Sequence, residues 1–256
     1  MQVIPGIDAQ VIKQFAPNPG RKPLLPELSE QAQVALMCRM LFREGWNEHI
    51  AGHITYRLDN GTMLTNPWEL AWDEVTASDI LTLDESGTII EGEWNVTPAL
   101  GLHVQLHKLR PDVNVIIHNH ARWSGLWANM HRVPPVYDQA GAYVDGLLPL
   151  YNEYDGTFED EDKSFAAAKA LGSAKWALLA NHGSLVVGKD LRQAHLRVAT
   201  LEWRSQRAYE LEQVGGGVPL TDEQVAEIAL PDAHGFPFLW EAMARRELRE
   251  DPGIID

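Results

Sequence analysis

Two histidines separated by one residue end an apolar segment of this 256-residue chain, in the run VNVIIHNHA at residues 113–121. The β-branched residues before them are typical of a buried strand and are too few for a helix. Because side chains alternate faces along a strand, His118 and His120 should project from one face, about 7 Å apart at ~3.3 Å per residue. Two such imidazoles can share a divalent metal ion. The alternative is a hydrogen-bonded histidine pair without a metal.

A third ligand candidate is His182, in the run LLANHGSLVV. It also stands at the polar end of an apolar strand, and Gly183 after it would let backbone or substrate approach closely. Three protein ligands with an open fourth position are the arrangement of a catalytic rather than a structural zinc site. We therefore predict that His118, His120 and His182 bind one divalent metal ion.

Periodicity and turn signals predict the elements that must position these histidines. Ser29 can cap a first helix that ends near Gly45, and Asn60-Gly61 supplies a hairpin turn. A short strand pair is predicted around the DESG turn, and Thr97-Pro98 is expected to begin a helix that runs to about Leu109. Further helices are predicted over residues 163–171 and 191–214, with strands before and after His182. The stretch between the first histidine pair and residue 154 is expected to be less regular.

Composition excludes several classes of function. The formal charge is −15, and the 21 Lys and Arg residues form no cluster, which argues against nucleic acid and anionic membrane surfaces as partners. No apolar run reaches the ~20 residues of a membrane span, and the N-terminus lacks the features of a signal peptide. Cys38 has no partner for a disulfide and is expected to be a core thiol. These features predict a cytoplasmic protein that acts on a small molecule.

The order of four motifs resembles the class II aldolase and adducin N-terminal domain family. The motifs are Gly52-His53-Ile54-Thr55, RPDVN at 110–114, HNH at 118–120 and NHG at 181–183. The resemblance implies a three-layer α/β/α fold with a central, largely antiparallel sheet. It also implies one divalent metal ion on the three histidines, with zinc expected first and Mn, Co, Fe or Mg as alternatives, and a homotetramer with active sites at subunit interfaces.

The resemblance also suggests how the chain is divided. We expect an N-terminal arm over residues 1–27, the aldolase-like domain over 28–215, and a C-terminal helical tail over 216–256. The tail should pack on the domain or on a neighbouring subunit, because Phe236, Phe238, Leu239 and Trp240 would otherwise be partly exposed.

Departures from the family pattern bear on the substrate. Sugar-phosphate aldolases of the family carry Ser-Ser-Glu where this chain has Thr97-Pro98-Ala99, and their glutamate moves the proton. Alanine cannot move a proton, and proline has no N–H for a phosphate. The family's Gly-Asn is Gly52-His53 here, and its Thr-Gly phosphate turn is replaced by Asn66-Pro67-Trp68. We therefore expect a substrate without a phosphate group.

Loss of the glutamate favours decarboxylation, which needs an electron sink and one proton donor but no initial proton abstraction. The family's catalytic tyrosine aligns with Asp138, and Tyr137 lies beside it. Either side chain is a candidate proton donor or a packing residue. His53 is a candidate contact for a substrate carboxylate or hydroxyl, or a core hydrogen-bonding residue. His103 and His107 share a helical face and are interpreted as structural, with His103 a candidate for supporting the site.

Two other functions remain open. An aldolase acting on an unphosphorylated hydroxy-keto acid would use the same metal site. A non-catalytic, adducin-like interaction module would keep the fold and lose catalysis, although adducin-type heads have lost histidines that this chain retains. Trp68 and Trp72 are candidate walls for an aromatic substrate, or simply core residues.

Overall fold

Eight strands form one sheet in the computed structural model, which describes residues 20, 22–153, 156, 158–229, 232 and 237–256. The strands are β1 His53–Arg57, β2 Met63–Thr65, β3 Leu81–Leu83, β4 Ile89–Glu91, β5 Val115–Asn119, β6 Leu150–Tyr151, β7 Trp176–Leu179 and β8 Gly183–Gly188. Their order in the sheet is β4-β3-β2-β1-β5-β8-β7-β6. All neighbours are antiparallel except β6 and β7, which confirms the largely antiparallel sheet.

Seven α-helices surround the sheet in the described part of the chain. They are α1 Glu30–Arg43, α2 Leu100–Leu109, α3 Arg122–Asn129, α4 Glu161–Leu171, α5 Leu191–Gln213, α6 Asp222–Ile228 and α7 Pro237–Glu250. Short 3-10 turns occur at Ala77–Asp79, Ala140–Ala142 and Pro252–Ile255. As predicted, Ser29 caps α1, since its side chain accepts a hydrogen bond from the Ala32 N–H at 3.1 Å.

Two predictions of local structure were wrong. Helix α2 begins at Leu100 rather than at Pro98, because the Thr97 hydroxyl accepts a hydrogen bond from the Ala99 N–H, two residues on, and Ala99 is the N-cap. The stretch after the first histidine pair contains helix α3, which was not predicted. The buried Glu202 carboxylate accepts hydrogen bonds from the N–H groups of Trp123 and Ser124, at the start of α3. Glu202 lies far away in sequence, on α5.

Alternating side chains of the central strands build a core on each face of the sheet. On one face, Ile117 of β5 and Val186 of β8 pack with residues of α1, α3, α5 and α7. On the other face, Ile116 and Val187 pack with residues of α2 and α4. This alternation is the period of two expected of a strand that is buried on both faces. The three-layer α/β/α architecture is therefore confirmed.

The C-terminal tail packs on its own chain. Glu247 of α7 pairs with Arg43 of α1 at 2.6 Å, and Trp240 is 1% exposed. Asp232 pairs with Arg197 of α5 at 2.7 Å. Phe238 stays exposed, and Phe236 lies outside the described residues. The division at residues 27 and 215 stays a prediction.

Cys38 is buried in the α1 core, as predicted, and burial raises the pKa of its thiol far above the ordinary value. Among the helices in the described ranges, none combines the length and the apolar character that a bilayer crossing requires.

Candidate metal centre

The three predicted ligands meet at one edge of the sheet. His118 lies near the end of β5, and His120 lies just after the strand, next to the Ala121 N-cap of α3. His182 immediately precedes β8, which pairs with β5 so that His118 lies opposite Leu185. Because the two strands are antiparallel, the end of β5 and the start of β8 lie side by side, and this brings His182 to the first histidine pair.

The geometry of the three imidazoles fits a shared cation. Their candidate ligand nitrogens all lie within 4.8 Å of one another. The Nε2 atoms of His118 and His120 are 3.1 Å apart. Two nitrogens that bind a tetrahedral zinc ion at ~2.05 Å are themselves separated by about 3.3 Å. The donor set and its spacing therefore match a zinc-like site, and no fourth His, Cys, Asp or Glu joins the group among the described residues.

Neighbouring groups prepare His118 to bind a metal. Its Nδ1 lies 2.9 Å from the Ser184 carbonyl oxygen, so Nδ1 carries the proton and donates it. The Nε2 atom then keeps its lone pair, which is the form a metal ligand needs. Burial lowers the pKa of His118 well below its usual value, and the neighbouring histidines His53, His182 and His120 lower it further.

The other two ligands have different surroundings. Phe158 stacks on the His182 ring, with centroids 5.2 Å apart and planes 11° from parallel. Burial, and secondarily His120, lowers the pKa of His182 to about 4. The exposed Glu48 carboxylate lies 3.9 Å from His120 Nδ1. Burial lowers the pKa of His120, while Glu48 opposes that shift. At neutral pH all three imidazoles are therefore uncharged.

Gly183 leaves space for this arrangement, as its position next to His182 suggested. A Cβ at residue 183 would lie 2.4 Å from the Asn119 carbonyl oxygen and 2.9 Å from His120 Cδ2. Contacts this short with backbone force a shift of β8 against β5. The glycine therefore permits the close approach on which the spacing of His120 and His182 depends.

We expect Gly183→Ala to weaken metal binding and to destabilise the fold by about 1–3 kcal/mol, the usual cost of overpacking. Gly125→Ala is the matched control, because a Cβ at this position in α3 meets nothing within 4 Å. Alanine should stabilise that helix slightly. Metal content and urea unfolding of both variants provide the measurement. Wild-type metal content in Gly183→Ala would refute the role of the glycine.

His53 lies beside the centre. It pairs with His118 across β1 and β5, and the two ring centroids are 5.0 Å apart. Its Nδ1 is 2.9 Å from His103 Nε2, whereas its buried Nε2 has no hydrogen-bond partner among the described residues. Burial, followed by the charges of His120 and His182, lowers the pKa of His53 to about 3. His53 is therefore neutral, with one unpartnered nitrogen close to the metal ligands.

The two candidate proton donors lie elsewhere on the chain. The Asp138 carboxylate accepts hydrogen bonds from Arg207 Nε and the Gly141 N–H, both at 2.9 Å. It lines a cavity of about 370 Å³ with Tyr143 and Trp203, and no ligand histidine lines that cavity. Tyr137 packs near Gly217. Their assignment to the reaction stays a prediction.

Several supporting residues were not found from the sequence. Ser184, Phe158 and Glu48 each contact a ligand histidine through folding of distant segments. The only available signal was the position of Ser184, which is two residues after His182 on an otherwise apolar strand. His103 and His107 do form buried hydrogen bonds, both to Thr55.

Fold and site together define a three-layer α/β/α domain with a three-histidine centre at the edge of its sheet. The class II aldolase and adducin N-terminal domain family matches residues 32–209, and the chain belongs to that family. This confirms the resemblance drawn from the four sequence motifs.

Individual relatives include both enzymes and adducins. The L-fuculose phosphate aldolase of Escherichia coli is 27% identical to this chain, and the match covers 77% of this chain and 90% of the aldolase. Rat alpha-adducin is 28% identical over 67% of this chain but only 24% of its own. The structure of an L-fuculose 1-phosphate aldolase from Glaciozyma antarctica superposes with a TM-score of 0.76 at 23% identity, covering 91% of this chain and 97% of that one.

Proposed function

We propose that this protein is a metal-dependent carbon–carbon lyase that decarboxylates a non-phosphorylated, aromatic hydroxy-acid. The observation that carries the proposal is the combination of a complete three-histidine centre with alanine at residue 99, the N-cap of α2. A divalent ion on His118, His120 and His182 would polarise the substrate oxygens and supply the electron sink for the carbanion. Decarboxylation then requires only one proton donor from the protein.

The absence of a phosphate site is supported by what the replacing residues do. Asn66 is buried, and its side-chain oxygen accepts a hydrogen bond from the Ile54 N–H at 2.8 Å. That oxygen therefore has a partner within the fold. The Thr97 hydroxyl accepts the Ala99 N–H, and Pro98 has no N–H to offer. At these positions the chain has no glutamate, and the N–H that a serine would offer a phosphate is missing at Pro98.

Trp68 and Trp72 differ as candidate walls for an aromatic ring. Trp72 is fully buried and its ring faces Gly52, so it is a core residue. Trp68 is 43% exposed and keeps a free face. Only Trp68 is retained in the proposal as a contact for an aromatic substrate.

His53 and the pair Tyr137 and Asp138 complete the proposed site. His53 would contact a carboxylate or hydroxyl of the substrate with its unpartnered Nε2. Tyr137 or Asp138 would donate the proton to the carbanion carbon. Because no ligand histidine lines the cavity that Asp138 lines, we propose that a neighbouring subunit brings this segment to the metal centre.

This arrangement predicts a homo-oligomer, which we expect to be a tetramer. The exposed apolar residues Val214 and Val218, 79% and 90% exposed, lie in the segment that contacts Tyr137 and are candidates for the interface. Light scattering at working concentrations should give about four times the mass of the 28.7 kDa chain. A monomer would refute both the tetramer and the shared site.

Two alternatives lead to different experimental results. An aldolase on an unphosphorylated hydroxy-keto acid would release an aldehyde rather than carbon dioxide. A non-catalytic adducin-like module would have no lyase activity; its support is the similarity to alpha-adducin, and the complete histidine triad argues against it.

The test is a screen of metal-loaded, untagged protein against aromatic hydroxy-carboxylates and hydroxy-keto acids. Carbon dioxide release from the former is expected, and Asp138→Asn should slow it. Asp160→Asn, which alters only the cap of α4, is the control. Aldehyde release alone would favour the aldolase, and no release from any compound would defeat the lyase proposal.

A further inference from the structure

Three histidines and a threonine form a continuous hydrogen-bonded chain next to the metal centre. His53 Nδ1 is 2.9 Å from His103 Nε2, and His103 Nδ1 is 2.9 Å from the Thr55 hydroxyl oxygen. The same hydroxyl is 2.9 Å from His107 Nε2. All four side chains are buried. They meet because residues two apart on β1 share one face, and residues four apart on α2 share another.

Counting protons restricts this chain to two arrangements. Burial lowers the pKa of His107 to about 4 and that of His103 well below its usual value, so each imidazole carries one N–H and one lone pair. Thr55 has one proton to donate. If it donates to His103, then His107 must donate to Thr55, and His103 must donate to His53. If Thr55 donates to His107 instead, then His103 must donate to Thr55, and His53 must donate to His103.

The three imidazoles must therefore share one tautomer. In the first arrangement His53, His103 and His107 all carry the proton on Nε2, and in the second all carry it on Nδ1. A mixed set would leave a buried link with two donors or with two lone pairs, or would leave the Thr55 hydroxyl proton without an acceptor among the described residues, at a cost of about 1–3 kcal/mol. The hydroxyl of Thr55 thus connects the tautomer of His107 to that of His53.

The hydrogen-bonded series has two free ends among the described residues, the buried Nε2 atom of His53 and the buried Nδ1 atom of His107. The ring of His53 lies as far from His118 as the ring of His120 does, 5.0 Å in both cases. An anionic substrate oxygen bound at this centre requires a donor rather than a second lone pair. The first arrangement provides that donor without any change in charge.

We propose that Thr55, His103 and His107 are positioning residues that hold His53 as its Nε2–H tautomer, so that it donates a hydrogen bond to an anionic oxygen of the substrate. The inference rests on the proposed lyase function for the identity of that oxygen. That the three imidazoles share one tautomer depends only on the contacts within the fold, whereas the choice of the Nε2–H form follows from the donor that the substrate oxygen requires.

Nitrogen-15 NMR of the histidine side chains in zinc-loaded protein tests the chain without any substrate. Wild-type protein should show His53, His103 and His107 all protonated on Nε2. Thr55→Val, which keeps the shape and removes the hydroxyl, should give His53 a mixture of tautomers, and Thr55→Ser should restore the wild-type pattern. Thr200→Val is the control, because that buried hydroxyl bonds only to the Leu196 carbonyl of its own helix.

Activity provides the second measurement. Thr55→Val should lower kcat about 10-fold, the effect of one mispositioned hydrogen bond, with metal content unchanged and with recovery in Thr55→Ser. The inference would be overturned if His53, His103 and His107 did not all carry the proton on the same ring nitrogen in the wild type. It would also be overturned if all three carried it on Nδ1. The wild-type spectrum decides this even if Thr55→Val does not fold.

The two proposals can fail separately. A wild-type protein that shows the shared Nε2–H tautomer but cleaves no hydroxy-acid would defeat the lyase function and with it the substrate contact. An active lyase whose kcat and His53 tautomer are unchanged in Thr55→Val would defeat only the positioning role.

Discussion

Replacing His120 with alanine is expected to abolish both metal binding and lyase activity. His120 supplies one of the three candidate ligand nitrogens, 3.1 Å from His118 Nε2, and its loss leaves two ligands. Loss of a residue that merely supports a ligand usually costs 10–100-fold in metal affinity or activity, so removal of a ligand should cost more. Elemental analysis and the carbon dioxide assay on purified protein provide the measurement.

His131→Ala is the control for this experiment. His131 is an exposed histidine near the site, but it bonds to the Asn181 side chain and is not one of the three ligands. Its alanine variant should keep about one equivalent of metal. If His120→Ala also keeps its metal, the ligand assignment is wrong.

Sugar phosphates are expected to be poor substrates for the unmodified protein. A positioned general acid or base typically contributes 10²- to 10⁴-fold in rate, and Ala99 cannot provide one. Fuculose 1-phosphate and ribulose 5-phosphate should therefore be cleaved at least about 100-fold more slowly than a hydroxy-carboxylate is decarboxylated. Steady-state assays of metal-loaded protein against both substrate classes test this difference.

The variant Ala99→Glu separates the proton shuttle from phosphate binding. We expect it to remain a poor sugar-phosphate aldolase, because Pro98 has no N–H and the buried Asn66 amide already donates to the Pro67 carbonyl. Efficient cleavage of a sugar phosphate by the unmodified protein would contradict the proposed substrate class. Efficient cleavage only by Ala99→Glu would show that phosphate binding is intact after all.

The metal ligands could be predicted from the sequence because each one stands at the end of an apolar strand. Strand alternation placed His118 and His120 on one face, and the second strand end supplied His182. The turn at Asn60-Gly61 and the DESG turn were likewise local signals, and both connect paired antiparallel strands. The family motifs then supplied the order of the layers.

What the sequence did not reveal depends on contacts between distant residues. Helix α3 was missed because its cap is Glu202, about 80 residues further on, and not a residue next to its N-terminus. Thr97 resembled an N-cap in the sequence. Its hydroxyl instead accepts a hydrogen bond from the Ala99 N–H, and the helix starts at Leu100. The role of Thr55 depends on two histidines that lie 48 and 52 residues away. The tetramer and the role of Asp138 remain predictions.

Metal analysis of protein purified without an affinity tag tests the central claim most directly. We predict about one equivalent of a divalent metal per chain in the wild type. The variant in which His118, His120 and His182 are all alanine should be folded and free of metal. Full metal occupancy in that triple variant, or none in the wild type after incubation with zinc, would contradict the account.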